Sequence, residues 1–122
     1  MQKFTDYKFA DEVLESRFLE MAKQNYECAV IVNKDNIIGI CGMWFCTRHY
    51  SGRSVELDHV YIDDSYQNEG LGSRFLQWIY DYVTQKGCDT VELNTYVQNN
   101  KSHKFYYNQG FNILGYHFLK KL

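Results

Sequence analysis

A strong amphipathic helix between two apolar segments is the feature that most restricts the fold of this chain. Within residues 73–86, five large apolar side chains recur at helical spacing and share one face: Phe75, Leu76, Ile79, Tyr82 and Val83. Gly87 follows them as a predicted C-cap. Segments 55–62 and 91–96 on either side are rich in residues typical of strands. This strand–helix–strand order predicts two neighbouring parallel strands joined by a right-handed crossover.

The segments before this unit predict one helix and a hairpin. Residues 9–25 carry Phe9, Val13, Leu14, Phe18 and Met21 at helical spacing. Residues 28–32 and 37–46 are apolar runs separated by the polar turn 33–36, which favours a β-hairpin. A second turn, residues 49–54, leads into the strand 55–62, so the first three strands are expected to form an antiparallel meander.

Two further elements follow the crossover. Residues 99–109 predict a short helix that stops at Gly110, and residues 111–119 predict a final strand. The element order is therefore helix, three strands, helix, strand, helix, strand. It predicts an α/β (α+β) fold in which helices flank a mixed, mostly antiparallel sheet.

Composition places the chain among single-domain globular proteins. The 122 residues are 45% hydrophobic with a formal net charge of -2, so we expect one domain over residues 1–122. The balanced charge does not favour a nucleic-acid partner. No apolar run approaches the ~20 residues of a membrane span, and the start lacks an apolar secretory core. We therefore expect no membrane association and a cytoplasmic location.

Cysteine and histidine spacing does not predict a metal site. The cysteines are Cys28, Cys41, Cys46 and Cys88. They form no C-x-x-C pair, and we expect reduced thiols, the first three buried as small hydrophobic residues. The histidines are His49, His59, His103 and His117, and they lack ligand spacing with a carboxylate partner.

The stretch Ile62–Arg74 carries the chemical information of the sequence. It runs from the end of a strand, through a loop with Gly70 and Gly72, into the helix of residues 73–86. Glycine permits close approach of a backbone to a ligand, and a helix N-terminus attracts anions. The stretch is neither a Walker loop nor a complete dinucleotide fingerprint. It predicts an anion site suited to a pyrophosphate; the alternative is a turn that simply requires glycine.

Two ordered motifs carry a resemblance to a known family. Gln67, Gly70 and Gly72, after the apolar position Ile62, resemble the coenzyme A loop of the GNAT acyltransferase superfamily, Gln/Arg-x-x-Gly-x-Gly/Ala. Residues 99–111 are similar to its second motif, Asn-x-x-Ala-x-x-Phe-Tyr-x-x-x-Gly-Phe. The matching residues there are Asn99, Phe105, Tyr106, Gly110 and Phe111, while Ser102 replaces the usual alanine.

The resemblance implies acetyl-CoA as the co-substrate, bound in a splay between strands 55–62 and 91–96. Main-chain groups near Ile62 would pair with the pantetheine arm, and the N–H groups of residues 68–73 would hold the pyrophosphate. Glu69 departs from the basic residue that many relatives carry. The cofactor-binding residues implied in this way are Val60, Ile62, Gln67, Asn68, Glu69, Gly70, Leu71, Gly72, Ser73, Asn99 and Tyr106.

The resemblance also implies direct transfer of the acetyl group to an amine in a ternary complex. The backbone N–H near Val60 would stabilise the oxyanion of the tetrahedral intermediate. Tyr106 stands at the family's general-acid position and would protonate the departing thiolate. A packed aromatic is the alternative role for Tyr106, since the chain holds 11 tyrosines.

Two carboxylates, Glu56 and Asp58, are candidates for the base that deprotonates the amine. Strand alternation places Glu56, Asp58, Val60 and Ile62 on one face and Leu57, His59 and Tyr61 on the other. Some family members place a base acting through water at the position of Glu56, whereas Asp58 lies nearer the expected acetyl group. A β-bulge would change this alternation. The alternative role for each carboxylate is to be solvated or to bind the substrate.

The segment before the hairpin is short for the family. About 25 residues precede it, so we expect the usual first strand and first helix to be lacking, or only one helix of the usual start to be present. An uncovered sheet edge favours pairing with another chain, which predicts a homodimer. Residues 91–95, 103–106 and 116–122 are similar to the aminoalkylphosphonate N-acetyltransferase branch.

These features together predict an acetyl-CoA-dependent N-acetyltransferase acting on a small primary amine. Two alternatives stay open. One is the same chemistry on a protein or peptide amine, and the other is a non-catalytic member that binds CoA or a partner only.

Overall fold

The computed structural model, which describes residues 11–67 and 70–122, contains a four-stranded sheet and three α-helices. In chain order the elements are α1 Asp11–Met21, β1 Tyr26–Asn33, β2 Asn36–Arg48, β3 Gly52–Ile62, a 3-10 turn Asp64–Tyr66, α2 Leu71–Gln85, β4 Thr90–Leu93 and α3 Asn100–Asn108. The strand order in the sheet is β1-β2-β3-β4. The chain forms two compact units, whose boundary falls between Glu92 and Leu93.

The predicted meander is confirmed. β1 pairs with β2 and β2 pairs with β3, both antiparallel. Lys34 in the first turn adopts a φ of 55°, a backbone conformation that a two-residue hairpin turn requires. β3 begins at Gly52, three residues before the predicted start at Val55, because the second turn is shorter than the sequence suggested.

β4 lies beside β3 after the α2 crossover, as the strand–helix–strand order predicted. Asp89 N donates to Arg53 O at 2.6 Å, and the hydroxyl of Thr90 donates to Ser51 O at 3.1 Å. The two strands therefore start at the same end of the sheet and run in the same direction. β4 ends at Leu93 instead of the predicted Tyr96, so the second half of β3 extends beyond it.

The core lies between one face of the sheet and α2. The buried apolar side chains are Ala29, Ile38, Cys41, Met43, Phe45, Val55 and Leu57 from the strands and Phe75, Leu76, Ile79 and Val83 from the helix. This is the helix face that the sequence predicted. At the end of α2, the Tyr82 hydroxyl and the Lys86 ammonium both contact the Glu27 carboxylate on β1. Gly87, with a φ of 86°, then ends the helix as predicted.

The predicted strand 111–119 is wrong. Among residues 93–122, all of which the structure describes, residues 111–122 have no regular secondary structure. Their large apolar side chains are exposed, Phe118 to 90%. A strand needs a partner to pair its backbone groups, and within this unit α3 is the main regular element. Alternating apolar residues therefore did not suffice to define a strand.

Other sequence expectations have mixed outcomes. The first helix spans Asp11–Met21 and is shorter than the predicted 9–25; Phe9 and the region of the usual first strand lie outside the described residues.

Cys28 is exposed, not buried, because it lies on the sheet face opposite α2. No described helix is long and apolar enough to cross a membrane. β1 is an edge of the described sheet and exposes Val30 and Val32.

Packing of α2 on the sheet predicts a clear difference between two neighbouring residues. Leu76 is fully buried and Gln77 is exposed on the same helix turn. We expect Leu76→Ala to lower the free energy of unfolding by about 2–5 kcal/mol, because it leaves a cavity. Gln77→Ala is the control and should cost less than about 0.5 kcal/mol. Urea denaturation measures both, and equal losses would contradict the packing described.

Candidate active site

β3 carries a β-bulge beside Asp58. Asp58 pairs with Gly42 of β2 and Tyr61 pairs with Ile40, so two residues of β3 (59–60) oppose one residue of β2. Bulges of this kind bend a strand and redirect its side chains. The bulge therefore changes which residues of β3 share a face.

The sequence predicted that Glu56, Asp58, Val60 and Ile62 share one face of the sheet. This prediction is wrong for the part of β3 after Asp58. Residues directly opposite on paired strands share a face, and Glu56 pairs with Trp44. Register places Glu56, Asp58 and Tyr61 on one face and Ile62 on the other. Because two residues of β3 oppose one residue of β2 in the bulge, the alternation of side chains along β3 shifts by one position after Asp58.

Asp58 is held by two neighbouring side chains. Trp44 Nε1 donates to its Oδ2 at 3.4 Å, and His59 Nε2 lies 3.0 Å from the same oxygen. Burial raises the pKa of the Asp58 carboxyl, but the hydrogen bonds and charge of His59, together with Trp44, outweigh burial and lower it. Asp58 is therefore a fixed, ionised carboxylate at neutral pH. The Tyr26 ring packs on Trp44 with a centroid distance of 4.8 Å and gives this face an aromatic wall.

Glu56 and Glu92 share one arginine. Arg48 Nη2 lies 3.7 Å from Glu56, and Arg48 Nε lies 3.1 Å from Glu92. Glu92 also accepts hydrogen bonds from the Ser54 hydroxyl at 2.6 Å and the Tyr50 hydroxyl at 2.8 Å. The Glu92 carboxylate on β4 thus bonds to side chains of β2 and β3 at one end of the sheet. Glu56 has the longer contact with the arginine.

The N-terminus of α2 lies at the place where the sequence predicts an anion site. α2 begins at Leu71, two residues before the predicted start, and its N-cap Gly70 has a φ of 73° and no side-chain hydrogen bond to the first turn. A Cβ at Gly70 would meet no atom within 4 Å. The first turn holds no acidic residue and contains the exposed Arg74. Backbone N–H groups at such a helix start bind phosphate.

The loop before α2 is fixed by its own side chains. Gln67 Nε2 donates to Ile62 O at 3.1 Å and to the Asp64 carboxylate at 3.2 Å. Asp63 accepts from the backbone and hydroxyl of Ser65. The matched Gln67 therefore braces the loop onto the end of β3. Asn68 and Glu69 lie outside the described residues.

The second motif forms a packed unit of its own. Asn99 caps α3, because its side chain accepts from Ser102 N at 3.2 Å. The half-buried Tyr106 ring packs edge-on against Phe105 and Phe111, with centroids 5.3 Å and 5.7 Å apart. Asn99 thus serves as a helix cap in this structure, and the motif aromatics form a small cluster.

An open groove lies between β1 and α2 and shares Leu71 and Arg74 with the start of α2. Its volume is about 370 Å³, and its lining is Val30, Ile31, Val32, Leu71, Arg74, Phe75 and Trp78. It contains neither Glu56 nor Asp58. The groove therefore does not coincide with the carboxylates that the sequence predicts as the base.

Sequence reasoning missed two residues. Arg74 in the first turn of α2 is exposed and adds a positive charge close to the predicted anion site. The contact between His59 and Asp58 had no signal in the sequence, because adjacent residues of a regular strand point to opposite faces.

The comparisons with known proteins agree on one family. Residues 2–111 match the family model described as Acetyltransferase (GNAT) family. One curated relative is glucosamine 6-phosphate N-acetyltransferase 1 of Dictyostelium discoideum, 26% identical over 77% of this chain and 64% of that protein. A second is aminoalkylphosphonate N-acetyltransferase of Salmonella typhimurium, 24% identical over 61% of this chain and 48% of that protein.

A solved structure supports the fold. The crystal structure of a transcriptional regulator from Bacillus halodurans C-125 superposes with a TM-score of 0.78 at 23% identity, covering 90% of this chain and 76% of that chain. The chain spans less than two thirds of the length of both curated relatives. The comparisons therefore identify the family and the fold, and they leave the acceptor to be argued from the residues.

The Glu92 contacts predict how stability depends on pH. Burial raises the pKa of Glu92, but the hydrogen bonds from Ser54 and Tyr50 and the charge of Arg48 outweigh burial and lower it below 4.5. A depressed pKa stabilises the fold at higher pH, and this contribution disappears as pH falls through the folded-state value. We expect Glu92→Gln to lower the free energy of unfolding by about 1–2 kcal/mol at pH 7.

The difference between the Glu92 variant and wild type should shrink as pH falls from the ordinary glutamate range through the lower folded-state pKa of Glu92, where the wild-type carboxyl also becomes protonated. Chemical denaturation at pH 7 and pH 3 measures it, with Glu12→Gln on the exposed surface of α1 as the control. A difference that stays constant across this range would contradict the assigned role.

Proposed function

We propose that this chain, which belongs to the GNAT acetyltransferase family, is an acetyl-CoA-dependent N-acetyltransferase that acts on a primary amine of a small molecule. The N-terminus of α2 carries the proposal. It combines a left-handed Gly70 without a side-chain cap, open space beside it and a first turn free of acidic residues. These properties suit the pyrophosphate of a nucleotide cofactor.

Acetyl-CoA would bind along the second half of β3 and the start of α2. The backbone of Val60 and Ile62 lies beyond the end of β4, where an extended pantetheine arm can pair with strand N–H and C=O groups. The amides of residues 68–73 would surround the pyrophosphate, and Arg74 adds positive charge. Asn99 and Tyr106 enter the proposal through the second motif.

The acceptor would be a cationic amine. Glu56 and Asp58 share a sheet face with the aromatic pair Tyr26 and Trp44, and carboxylates beside aromatic rings attract ammonium groups. Two curated relatives are named for small amine acceptors, glucosamine 6-phosphate and an aminoalkylphosphonate. Both observations support a small-molecule amine over a protein amine.

The reaction we propose is direct attack of the amine on the thioester. The backbone N–H near Val60 would stabilise the oxyanion, and the Tyr106 hydroxyl would protonate the departing thiolate. Glu56 and Asp58 are the carboxylates proposed from the sequence as the base. The lowered pKa of Asp58 makes that carboxylate a weak proton acceptor near neutral pH.

Two further properties belong to the proposal. The exposed Val30 and Val32 on the edge strand β1 are consistent with a homodimer, which light scattering of the purified chain would test. A cytoplasmic location agrees with the four cysteines, which carry no disulfide.

Two glycines at opposite ends of α2 test the proposed pyrophosphate site. Gly70 and Gly87 both have positive φ, and a Cβ at either would meet no atom within 4 Å. Alanine at either position should therefore cost a similar amount of stability, about 1–2 kcal/mol. Only Gly70→Ala should weaken acetyl-CoA binding, by about tenfold or more, because it turns the first amides of α2 away from the phosphates.

Calorimetric titration with acetyl-CoA measures the two affinities, and thermal unfolding measures the two stabilities. Equal weakening by Gly70→Ala and Gly87→Ala would show that the loss is one of stability alone. No binding by the wild-type chain would contradict the proposed function.

Tyr106→Phe tests the proposed general acid. Removal of the hydroxyl should lower kcat by about 10²-fold or more, with little change in acetyl-CoA affinity, because the ring packing is kept. Tyr107→Phe is the matched control, since this neighbour is 70% exposed and lies outside the aromatic cluster. A thiol-release assay over a panel of small amines measures turnover. An unchanged rate in Tyr106→Phe would remove this residue from the mechanism.

A further inference from the structure

The bulge in β3 turns a histidine against the aspartate that precedes it. His59 Nε2 lies 3.0 Å from Asp58 Oδ2, although neighbouring residues of a regular strand point to opposite faces. His59 has a φ of 55°, which is uncommon for a residue with a side chain. This backbone conformation breaks the alternation and allows the two side chains to meet.

The pair is held in one arrangement by its neighbours. Trp44 Nε1 donates at 3.4 Å to the Asp58 oxygen that also contacts the histidine. Phe18 of α1 packs on the imidazole with a ring-centroid distance of 5.4 Å. The His59 side chain keeps 20% of its surface exposed. The ring is therefore oriented by packing and still reaches solvent.

Two titratable neighbours of Asp58, Tyr26 and Cys41, are neutral at physiological pH, and the acidic residue Glu56 lies on the same sheet face. Burial, followed by nearby Cys28 and Asp58, raises the pKa of Tyr26 on β1 well above its usual range. Burial raises the pKa of Cys41 on β2 to about 12. From α1 the uncharged Phe18 packs on the ring. Asp58 is an ionised group in direct contact with the imidazole.

We propose that His59, oriented by Asp58, is the base that takes the proton from the acceptor amine; this inference rests on the proposed acetyltransferase function. With Nε2–H donating to the Asp58 carboxylate, the lone pair of the neutral ring lies on Nδ1. A carboxylate that fixes the tautomer of a neighbouring imidazole, and stabilises the imidazolium once it forms, is an arrangement that suits general-base catalysis.

Protons and electron pairs balance as follows. The ammonium group of the acceptor gives one proton to His59 Nδ1, and the freed nitrogen lone pair attacks the thioester carbonyl carbon. The C–N bond forms and the C–S bond then breaks, so the sulfur leaves with the electron pair and receives a proton from Tyr106. The amide nitrogen returns its second proton to the Tyr106 oxygen. The proton on His59 passes to solvent, and the products are the N-acetyl amide and CoA thiol.

An imidazole suits this task better than the two carboxylates. A neutral imidazole accepts a proton on its free ring nitrogen, and a carboxylate bonded to the other nitrogen stabilises the imidazolium that forms. Asp58 is held in its ionised form by hydrogen bonds and would accept a proton only in acid. Asp58 is thus assigned as a positioning residue.

The test compares pH profiles of kcat/KM for His59→Asn, Asp58→Asn, Glu56→Gln and wild type. Asparagine tolerates a left-handed backbone and can still donate to Asp58, but it cannot take up a proton. We expect His59→Asn to lower kcat/KM by about 10²-fold or more at neutral pH and to lose the acid limb. His117→Asn, in the exposed segment after α3, is the matched control and should keep the wild-type profile.

Asp58→Asn separates the two members of the pair. If His59 is the base, the acid limb persists and moves to lower pH, because an imidazolium beside an amide releases its proton more easily than one beside a carboxylate. If Asp58 is the base, the limb disappears in Asp58→Asn. This outcome decides the question even if His59→Asn fails to fold.

The inference and the proposed function fail in different ways. A wild-type limb in a folded His59→Asn variant, or loss of the limb in Glu56→Gln alone, overturns the inference and leaves the acetyltransferase function standing. A folded wild-type chain that binds no acetyl-CoA and acetylates no amine overturns both. Unchanged thermal stability and acetyl-CoA affinity in His59→Asn, together with the lost limb, support a role in proton transfer over one in packing.

Discussion

The packing of α2 on one face of the sheet is the interaction on which the rest of this structure depends. Four buried side chains of the helix close the core over β1, β2 and β3, and contacts of Tyr82 and Lys86 with Glu27 fix its far end. Because the helix is held in this way, its N-terminus stands directly after β3 and its loop. The same apolar contacts that stabilise the fold therefore position the amides proposed to hold a pyrophosphate.

The opposite face of the sheet carries Glu56 and Asp58 beside the aromatic pair Tyr26 and Trp44, and the bulge in β3 determines which residues lie on it. One extra residue opposite β2 keeps Glu56 and Asp58 on this face, sends Ile62 to the other and brings His59 against Asp58. Glu92 and Arg48 tie the strands together farther along. One face of this small sheet is buried against α2, and the other carries the carboxylates proposed for the acceptor site. The bulge is the point at which a left-handed backbone brings the proposed base against Asp58.

Much of this arrangement could be predicted from the sequence. The helical spacing of Phe75, Leu76, Ile79 and Val83 defined α2, and the polar turn at residues 33–36 defined the hairpin, because both signals are local. The Gly70 turn and the motif at residues 99–111 indicated the family. A bulge was one possibility for β3, but its position could not be predicted, since nothing local in Asp58-His59-Val60 indicates an extra residue in the pairing. The strand predicted over residues 111–119 is absent, because a strand-like pattern of side chains does not supply a partner for the backbone.

The central claim is that acetyl-CoA binds at the start of α2 and along the second half of β3. Titration of the isotope-labelled chain with acetyl-CoA, followed by backbone amide resonances, tests it residue by residue. The account predicts saturable shifts that are largest at residues 60–62 and 70–74. Shifts confined to the groove between β1 and α2 around Val30 and Trp78, or no saturable shifts at all, would contradict it.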